Sequence, residues 1–342
     1  MCKALSASFF RIMTTDVSDE DAEAAMRQFA EITGTDEILG QTILQDVNWS
    51  LDRALEVFYG GNVRNDEDGY IQVVTPPPAV EQSQPDSPNT SEDVTGFEIS
   101  LLSWNIDGLD GNSLATRMLA VYKIVSRISA DFVFLQEVVE RDIDKLLKLK
   151  KSYNVYFSNR SSLYFTAILV SNAFSVRNHE VIHYQNSGMD RTLQIIEGTL
   201  GPFQVFLLNT HLESMAEHSD KRRQQLEQCM NKIASISNEY PNALIFFGGD
   251  LNVRDKELSG LPKGFADAWI AAGQPKSEEF TWDTRTNTNK QSYHMARCRF
   301  DRIFYKAQPL NKVSFALEGK QLIRTSLCYA SDHWAILSTF SV

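Results

Sequence analysis

The feature that most constrains the fold of this chain is a run of five apolar residues, Ala243–Phe247, which ends in Gly248-Gly249-Asp250-Leu251-Asn252. An apolar run of this length next to glycine predicts a strand buried on both faces of a sheet. Residues i and i+2 of an extended segment point the same way, so Asp250 and Asn252 should project together from the strand end. A carboxylate there can orient or deprotonate water, and an amide can bind a phosphate oxygen. A turn that only closes the strand would have the same sequence.

Four other predicted strands carry polar side chains of the same kinds at one end, namely Asn105 with Asp107, Glu137, His211, and Asp332 with His333. Each could be an ordinary strand end in water. A charge directly after a buried strand is nevertheless unfavourable unless it is paired or binds a cation. Gathered in one pocket, these groups would offer carboxylates that suit Mg²⁺ rather than zinc. They would also offer imidazole and amide donors for a phosphoryl transition state.

Hydrophobic periodicity predicts the elements around these strand ends. The alternation in residues 164–170, continued by 191–200 and 203–212, predicts a second sheet. The run Lys221–Arg223 is expected to be a solvated helix face, with steering of a phosphate as the alternative, and Phe280–Asp283 an exposed aromatic stretch. Helices are expected over residues 112–128, 140–150 and 219–238.

Charge divides the chain into two parts. The net charge is −11, with 18 acidic and 5 basic residues before Phe97, and 26 acidic and 28 basic residues from Phe97 onward. The acidic excess therefore does not argue against a polyanionic substrate for the larger part. Residues 1–18 are expected to be a flexible leader. Residues 62–96, rich in proline and acidic side chains, are expected to be a disordered linker.

Residues 19–61 show the apolar spacing of three short helices, which predicts a small helical bundle. The patterns Phe29-x-x-x-Thr33-Gly34 and Asn48-Trp49-Ser50-Leu51-x-x-Ala54-Leu55 resemble those of a ubiquitin-associated (UBA) domain. The resemblance implies binding of ubiquitin or ubiquitinated proteins. The alternative is a helical cap that packs on the larger domain.

Composition excludes some classes of protein. The longest apolar runs are far shorter than the roughly 20 residues of a membrane-spanning helix, so no membrane partner is expected. The first 13 residues lack the sustained apolar segment of a signal peptide. The four cysteines have no C-x-x-C spacing and are too few for a disulfide scaffold. A reducing intracellular compartment is therefore expected.

The strand-end motifs follow one another in a definite order along residues 97–342. They are Trp104-Asn105, Leu135-Gln136-Glu137, Thr210-His211, Gly249-Asp250-x-Asn252 and Ser331-Asp332-His333. This ordered set resembles the endonuclease/exonuclease/phosphatase superfamily. Further runs are similar to the branch of that superfamily that hydrolyses tyrosyl-DNA bonds, namely Trp104–Leu109, Tyr164–Ile168, His211–Ser214, Thr281–Thr284 and Arg299–Phe304.

The resemblance implies a fold and a reaction. The fold would be α/β (α+β), a four-layer sandwich of two packed mixed β-sheets flanked by helices. The reaction would be Mg²⁺-dependent hydrolysis of the bond joining a tyrosine to the 5′-phosphate of DNA, with Mn²⁺ as a substitute metal. The implied partners are DNA 5′ ends that carry tyrosyl or topoisomerase II peptide adducts. The implied location is the nucleus, with the cytoplasm as a second one.

The resemblance also implies roles for single residues. Glu137 would hold the metal with Asp107, and Asp332 would orient His333 or contact the metal site. Asp250 would orient and deprotonate the attacking water. Phosphate contacts would come from Asn105, Asn252, His211, His333, Ser214 and Arg254. The DNA groove would be lined by Tyr164, Trp282 and Phe300, with motif neighbours Ile106, Gly108, Leu109, Leu212, Glu213 and Val253 in the substrate site.

Two other functions agree with parts of the sequence. An abasic-site endonuclease, or a phosphoinositide or sphingomyelin phosphodiesterase, could use the same scaffold. His211 stands where abasic endonucleases of this superfamily usually have a tyrosine or a similar residue. An adaptor without enzymatic activity could use the UBA-like module alone, but the complete polar set argues against it.

Overall fold

A computed structural model describes residues 22, 24–29, 44, 47, 49–51, 53–54, 97–290 and 295–341. The chain divides near residue 90 into two compact units. In the first unit, residues 24–29 are helical, and Phe29, Leu44 and Ala54 are buried. The predicted leader (1–18), the whole predicted linker (62–96) and most of the predicted bundle (19–61) lie outside the described residues.

The second unit contains fourteen strands and four α-helices among the described residues. The strands are β1 (Glu98–Asn105), β2 (Phe132–Val138), β3 (Tyr153–Phe157), β4 (Phe165–Ser171), β5 (Ser175–His183), β6 (Thr192–Leu200), β7 (Phe203–His211), β8 (Leu244–Asp250), β9 (Phe265–Asp267), β10 (Trp282–Asp283), β11 (Arg297–Cys298), β12 (Asp301–Lys306), β13 (Lys312–Glu318) and β14 (Ala335–Ser341). The helices are α1 (Leu114–Ile128), α2 (Ile143–Leu147), α3 (Ser219–Glu239) and α4 (Ala268–Ala271).

Twelve of these strands form two six-stranded mixed sheets. The strand order is β13-β14-β1-β2-β4-β3 in the first sheet and β5-β6-β7-β8-β12-β9 in the second. Only β1–β2 and β7–β8 pair in parallel; the other pairs in both sheets are antiparallel. Apolar side chains from both sheets share one core, and helices cover the outer faces. The expected four-layer sandwich is confirmed.

The strand β8 shows how the sequence produces these layers. Successive residues of a strand point to opposite faces. Leu244 and Phe246 accordingly fill the core between the sheets, while Ile245 and Phe247 pack beneath α3. The burial predicted for this run on both faces is confirmed.

The pairing of the strands brings the polar strand ends to one edge of the sandwich. β1 and β2 run in parallel in one sheet, β7 and β8 in the other, so each pair ends at the same edge. β12 runs antiparallel to β8 and begins there, with Asp301 opposite Asp250. His333 lies just before β14 and forms an isolated bridge with Trp282. The fold therefore gathers residues that are distant in sequence.

Several predicted elements differ in the structure. β4 belongs to the first sheet and pairs with β2, so the assignment of residues 164–170 to the second sheet was wrong. Alternation reports that a strand is half-buried but not which strand it pairs with. The helix expected over 140–150 is only the five-residue α2 between two 3₁₀ turns. The strands β5, β9, β11 and β13 were not predicted.

Two surfaces that were expected to be exposed are partly buried. Arg222 in the run Lys221–Arg223 has a side chain that is 0% exposed, so this run is not a uniformly solvated face. Thr281 and Asp283 are buried as well, and Trp282–Asp283 pairs with β11. In the described ranges, no helix is both long enough and apolar enough to cross a membrane.

Candidate active site

Several residues at the gathered strand ends have unusual backbone conformations, which orient their side chains into the site. Asp107, Glu137 and Asn252 have φ angles of 51°, 57° and 53°, in the left-handed region. Residues other than glycine rarely adopt this conformation, and its occurrences cluster at functional sites. Gly249 has φ 126°, and a Cβ there would lie 2.0 Å from the carbonyl oxygen of Thr210. Only glycine allows β8 to approach β7 this closely.

The centre of the site is the carboxylate of Asp250, which is 2% exposed. The amide of Asn105 donates to its Oδ2 at 3.0 Å and to Oε1 of Glu137 at 3.2 Å. Nε2 of His211 lies 3.3 Å from the same Oδ2, and Nε2 of His333 lies 3.8 Å from it. Residues from β1, β7 and the entrance to β14 thus converge on one oxygen of β8, and the Asn105 amide links that oxygen to Glu137 of β2.

His211 is neutral at physiological pH. Burial, followed by the charge of Arg191, lowers the pKa of His211 to about 4. Nη1 of Arg191 lies 2.6 Å from Nδ1 of His211, and a guanidinium has only hydrogens to donate. Nδ1 is therefore the acceptor, and the proton is on Nε2, facing Asp250. His211 is a fixed neutral donor at this point.

His333, in contrast, is protonated. Burial would lower the pKa of His333, but the carboxylates of Asp301, Asp250 and Asp332 raise it well above the usual value. Nδ1 of His333 is 2.8 Å from Oδ2 of Asp301. Its Nε2 is too far from Asp250 for a hydrogen bond, at 3.8 Å. The protonated Nε2 can therefore donate to a ligand oxygen.

The carboxylate of Asp250 is ionised. Burial alone would raise the pKa of Asp250, but the imidazoles of His211 and His333 and the amide of Asn105 lower it well below its usual range. Its other oxygen, Oδ1, accepts the backbone N–H of Asn252 at 3.0 Å. A carboxylate held this strongly in its charged form is suited to orient a water molecule.

A second group of carboxylates lies beside this centre. Burial, and then the charge of Asp332, raises the pKa of Glu137 to about 7 and that of Asp107 to about 6. Nζ of Lys290 lies 3.0 Å from Asp107 and 2.6 Å from Asp110. Carboxylates that raise one another's pKa fit a hard cation with oxygen ligands. The donor set Glu137, Asp107 and Asp332 therefore fits Mg²⁺.

Another set of potential ligand atoms comes from Asp250, Asp301 and His333, which lie within 4.8 Å of one another. Nδ1 of His333 already bonds Asp301, so only its Nε2 could bind an ion. We expect the ion at the carboxylate group around Glu137 instead, because oxygen ligands suit a hard cation.

One rim of the site is formed by Tyr164, Arg191 and Ser214. The guanidinium of Arg191 lies over the ring of Tyr164, 4.8 Å from its centroid. Its Nη2 donates to Oγ of Ser214 at 2.9 Å. The amide of Asn252 also reaches this Oγ, at 3.3 Å. This rim therefore combines an aromatic face with fixed donors.

A second rim is aromatic. The ring centroids of Trp282 and Phe300 are 5.8 Å apart, and those of Phe300 and His333 are 6.5 Å apart. The guanidinium of Arg254 lies 5.9 Å from the Phe300 centroid. The indole N–H of Trp282 donates to Asp332 at 3.4 Å. This rim offers flat apolar faces next to a cation.

Some predicted substrate-binding residues have no exposed side chain. Ile106, Leu212 and Glu213 are 0% exposed and Val253 is 1% exposed, so neither their side chains nor their backbones are open to a substrate, and they support the neighbouring site residues instead. Leu109 is 40% exposed and can contact one directly. Glycine is required at position 108 for a steric reason, because a Cβ would lie 2.3 Å from the carbonyl oxygen of Glu137.

Two site residues received no role from the sequence. Asp301, rather than the neighbouring Asp332, bonds Nδ1 of His333 and orients the imidazole. Its only sequence signal was a charge at the first position of a strand. Arg191 fixes His211, and its only signal was its place just before a strand. Such contacts depend on tertiary pairing, which local patterns do not report.

The sequence matches two families. Residues 102–333 match the Endonuclease/Exonuclease/phosphatase family, and residues 21–65 match the UBA-like domain. A relative from Caenorhabditis briggsae, "5′-tyrosyl-DNA phosphodiesterase", is 52% identical over 324 residues, which cover 95% of this chain and 91% of that protein.

Solved structures are similar as well. The crystal structure of truncated Caenorhabditis elegans TDP2 has a TM-score of 0.72 at 56% sequence identity, covering 73% of this chain and 100% of that one. The structure of Danio rerio TDP2 complexed with a single-strand DNA product has a TM-score of 0.66 at 34% identity, covering 72% and 99%.

Proposed function

The chain belongs to the endonuclease/exonuclease/phosphatase family, and we propose that it hydrolyses the bond between a tyrosine and the 5′-phosphate of DNA. The products are a 5′-phosphate end and a free tyrosine side chain. The observation that carries the proposal is the convergence of Asn105, His211 and His333 on the carboxylate of Asp250. A relative named as a 5′-tyrosyl-DNA phosphodiesterase is 52% identical to this chain over 95% of its length.

The chain's own side chains supply most of the chemistry. Asp250 orients the attacking water and accepts its proton. His333 donates from its protonated Nε2 to a phosphate oxygen, and His211 donates from its neutral Nε2. Asn105 and Asn252 add amide donors. Donors that are fixed before the reaction stabilise the negative charge that develops on phosphorus oxygens.

Glu137, Asp107 and Asp332 would hold Mg²⁺, with Mn²⁺ as a substitute. When bound, the ion supplies a Lewis acid for a phosphate oxygen and relieves the repulsion among these carboxylates. The leaving group is a phenolate with a pKa near 10. A strong general acid is therefore less necessary than it would be for an alkoxide.

The two rims fit a nucleic acid end. The faces of Trp282 and Phe300 are suited to stacking against terminal nucleotides, as in proteins that bind single strands. Arg254 and Ser214 are placed to contact phosphate. Tyr164 and Leu109 line the remaining edge. The product-bound Danio rerio relative supports DNA as the ligand class.

The proposal is tested with three substrates at fixed Mg²⁺: a 5′-tyrosyl oligonucleotide, an abasic duplex and an inositol phosphate. We expect hydrolysis of the first to exceed that of the others by orders of magnitude. Preference for the abasic duplex or the inositol phosphate would assign this chain to another activity of the same scaffold. No hydrolysis of any of them would favour a non-enzymatic role.

The UBA-like match suggests a partner for the first unit. We propose that residues 19–61 bind ubiquitin or ubiquitinated proteins and that residues 62–96 link them to the catalytic domain, 97–342. Adducts of topoisomerase II on nuclear DNA are then the expected substrate in the cell. Titration of labelled ubiquitin with the full chain should give saturable binding that is lost when residues 1–96 are deleted; equal signals would refute this.

A further inference from the structure

One buried side chain, Arg222, holds the loop that follows β7. Arg222 lies in the first turn of α3, and its side chain is 0% exposed. Its Nη1 donates to the carbonyl oxygen of Glu213 at 2.9 Å and to that of Met215 at 2.7 Å. These two carbonyls flank Ser214, so Arg222 fixes the backbone on both sides of that residue.

The same guanidinium holds the turn that follows β8. Nη2 of Arg222 donates to Oε1 of Glu257 at 2.7 Å. Oε2 of Glu257 accepts the backbone N–H of Arg254 at 2.8 Å, and the N–H of Glu257 donates back to the carbonyl of Arg254 at the same distance. Arg222 therefore reaches the Arg254 turn through one carboxylate.

The arrangement is specific to Arg222. A buried guanidinium is unfavourable unless its donors are paired, and here they pair with loop carbonyls and the turn carboxylate. The next residue, Arg223, is exposed and pairs with Asp220 on the same helix. The two arginines are adjacent in sequence, but Arg222 is buried and joins two loops, whereas Arg223 is exposed and joins neither.

We propose that Arg222 is a positioning residue for substrate binding, which fixes the spacing of Ser214 and Arg254 so that both reach the DNA end together. The inference rests on the proposed function, because that function assigns phosphate contacts to these two residues. Arg222 contacts neither Asp250 nor the two site histidines in the structure. Its loss should therefore weaken substrate binding more than it slows the chemical step.

Replacing Arg222 by lysine keeps the charge and removes the guanidinium group, whose two Nη atoms bond the loop after β7 and the turn after β8. Replacing Glu257 by glutamine keeps the shape and removes the acceptor charge. We expect each change to raise KM by about tenfold, the effect of losing one charge-assisted hydrogen bond. kcat should stay within about threefold, because the effect is on uniform binding.

The experiment uses the full chain and four variants: Arg222→Lys, Glu257→Gln, the matched control Arg223→Lys, and Arg254→Ala. The measurements are kcat and KM on a 5′-tyrosyl oligonucleotide, Kd for the 5′-phosphorylated product by anisotropy, and Tm. A double variant of Glu257→Gln with Arg254→Ala tests coupling, since residues that act through one another are not additive. Glu257→Gln carries the test if Arg222→Lys fails to fold.

The proposal predicts raised KM and Kd for Arg222→Lys and Glu257→Gln, wild-type values for Arg223→Lys, and a smaller effect of Glu257→Gln when Arg254 is absent. A lowered Tm with unchanged KM and Kd would overturn it, as would a loss confined to kcat. If the wild-type chain does not hydrolyse the substrate, the proposed function fails. If it does, and Arg222→Lys behaves like Arg223→Lys, only the positioning role fails.

Discussion

Around one carboxylate oxygen of Asp250 lie two neutral donors, Asn105 and His211, and a cationic imidazole, His333. His211 is neutral because burial and Arg191 oppose its protonation, while His333 is cationic because Asp301 and other carboxylates outweigh its burial. The residue types were predictable from the strand-end motifs. Their charge states were not, because they depend on Arg191 and Asp301, which reach the histidines only in the folded chain.

Replacing Asp250 by asparagine should remove most turnover. We expect kcat on a 5′-tyrosyl oligonucleotide to fall roughly 10²–10⁴-fold, the usual contribution of a positioned base. Binding of the phosphorylated product should remain near the wild-type value, because the phosphate donors are retained. Asp144→Asn, at an exposed aspartate, is the control. Near-wild-type turnover of Asp250→Asn would remove Asp250 from the mechanism.

His211 should make the fold sensitive to acid. Its pKa is about 4 in the folded chain and near 6.5 when unfolded. Between these values the unfolded chain binds a proton that the folded chain does not, so the free energy of unfolding decreases as the pH falls. The raised pKa values of Glu137 and Asp107 act in the opposite direction, so variants must be compared.

The measurement is Tm against pH for the wild type and His211→Asn. Between about pH 6.5 and about pH 4, the Tm of the wild type should fall more steeply than the Tm of His211→Asn. His183→Asn, at an exposed histidine of β5, should follow the wild type. Parallel curves for the wild type and His211→Asn would mean that burial does not suppress protonation of His211.

Among the elements, the turn after the apolar part of β8 depends on glycine. Gly249 and Gly260 have nearly the same φ, 126° and 123°, but a Cβ at Gly249 would lie 2.0 Å from the Thr210 carbonyl oxygen, and one at Gly260 would meet nothing within 4 Å. Alanine at Gly260 therefore adds only backbone strain, of about 1–3 kcal/mol. Alanine at Gly249 adds the overlap as well.

We expect Gly249→Ala to lower the free energy of unfolding by roughly 4 kcal/mol or more, in the range of exceptional substitutions. Urea denaturation of both variants measures the difference. Equal losses for Gly249→Ala and Gly260→Ala would show that β7 and β8 can separate at this point without cost.

The sequence predicted well those elements that have a strong hydrophobic periodicity and a clear terminating residue. The run Ala243–Phe247 and the helix ending at Ile128 are examples. The elements that the sequence missed depend on exposure or on pairing with distant strands. β5 is a largely exposed strand with little apolar pattern, and the sheet to which β4 belongs is set by its pairing with β2. Arg222 was predicted to be solvated because a basic run in the sequence does not show which of its side chains will bond buried carbonyl groups.

In the whole molecule, a helical module and a catalytic domain differ in charge and in family. The UBA-like match over residues 21–65 confirms the kind of module that the helical pattern predicted. The boundaries at 19–61 and 62–96 remain predictions. We expect limited proteolysis of the full chain to cut first between residues 62 and 96 and to leave an active fragment that begins near residue 97. First cuts inside 97–342 would contradict this.

We propose that a divalent ion held by Glu137 assists a reaction centred on Asp250. The most direct measurement is the rate of 5′-phosphate release from a 5′-tyrosyl oligonucleotide, with EDTA and over a Mg²⁺ titration, for the wild type and Glu137→Gln. We predict no turnover in EDTA, full recovery with Mg²⁺, and a higher Mg²⁺ requirement for Glu137→Gln. Equal rates with and without EDTA would contradict the claim.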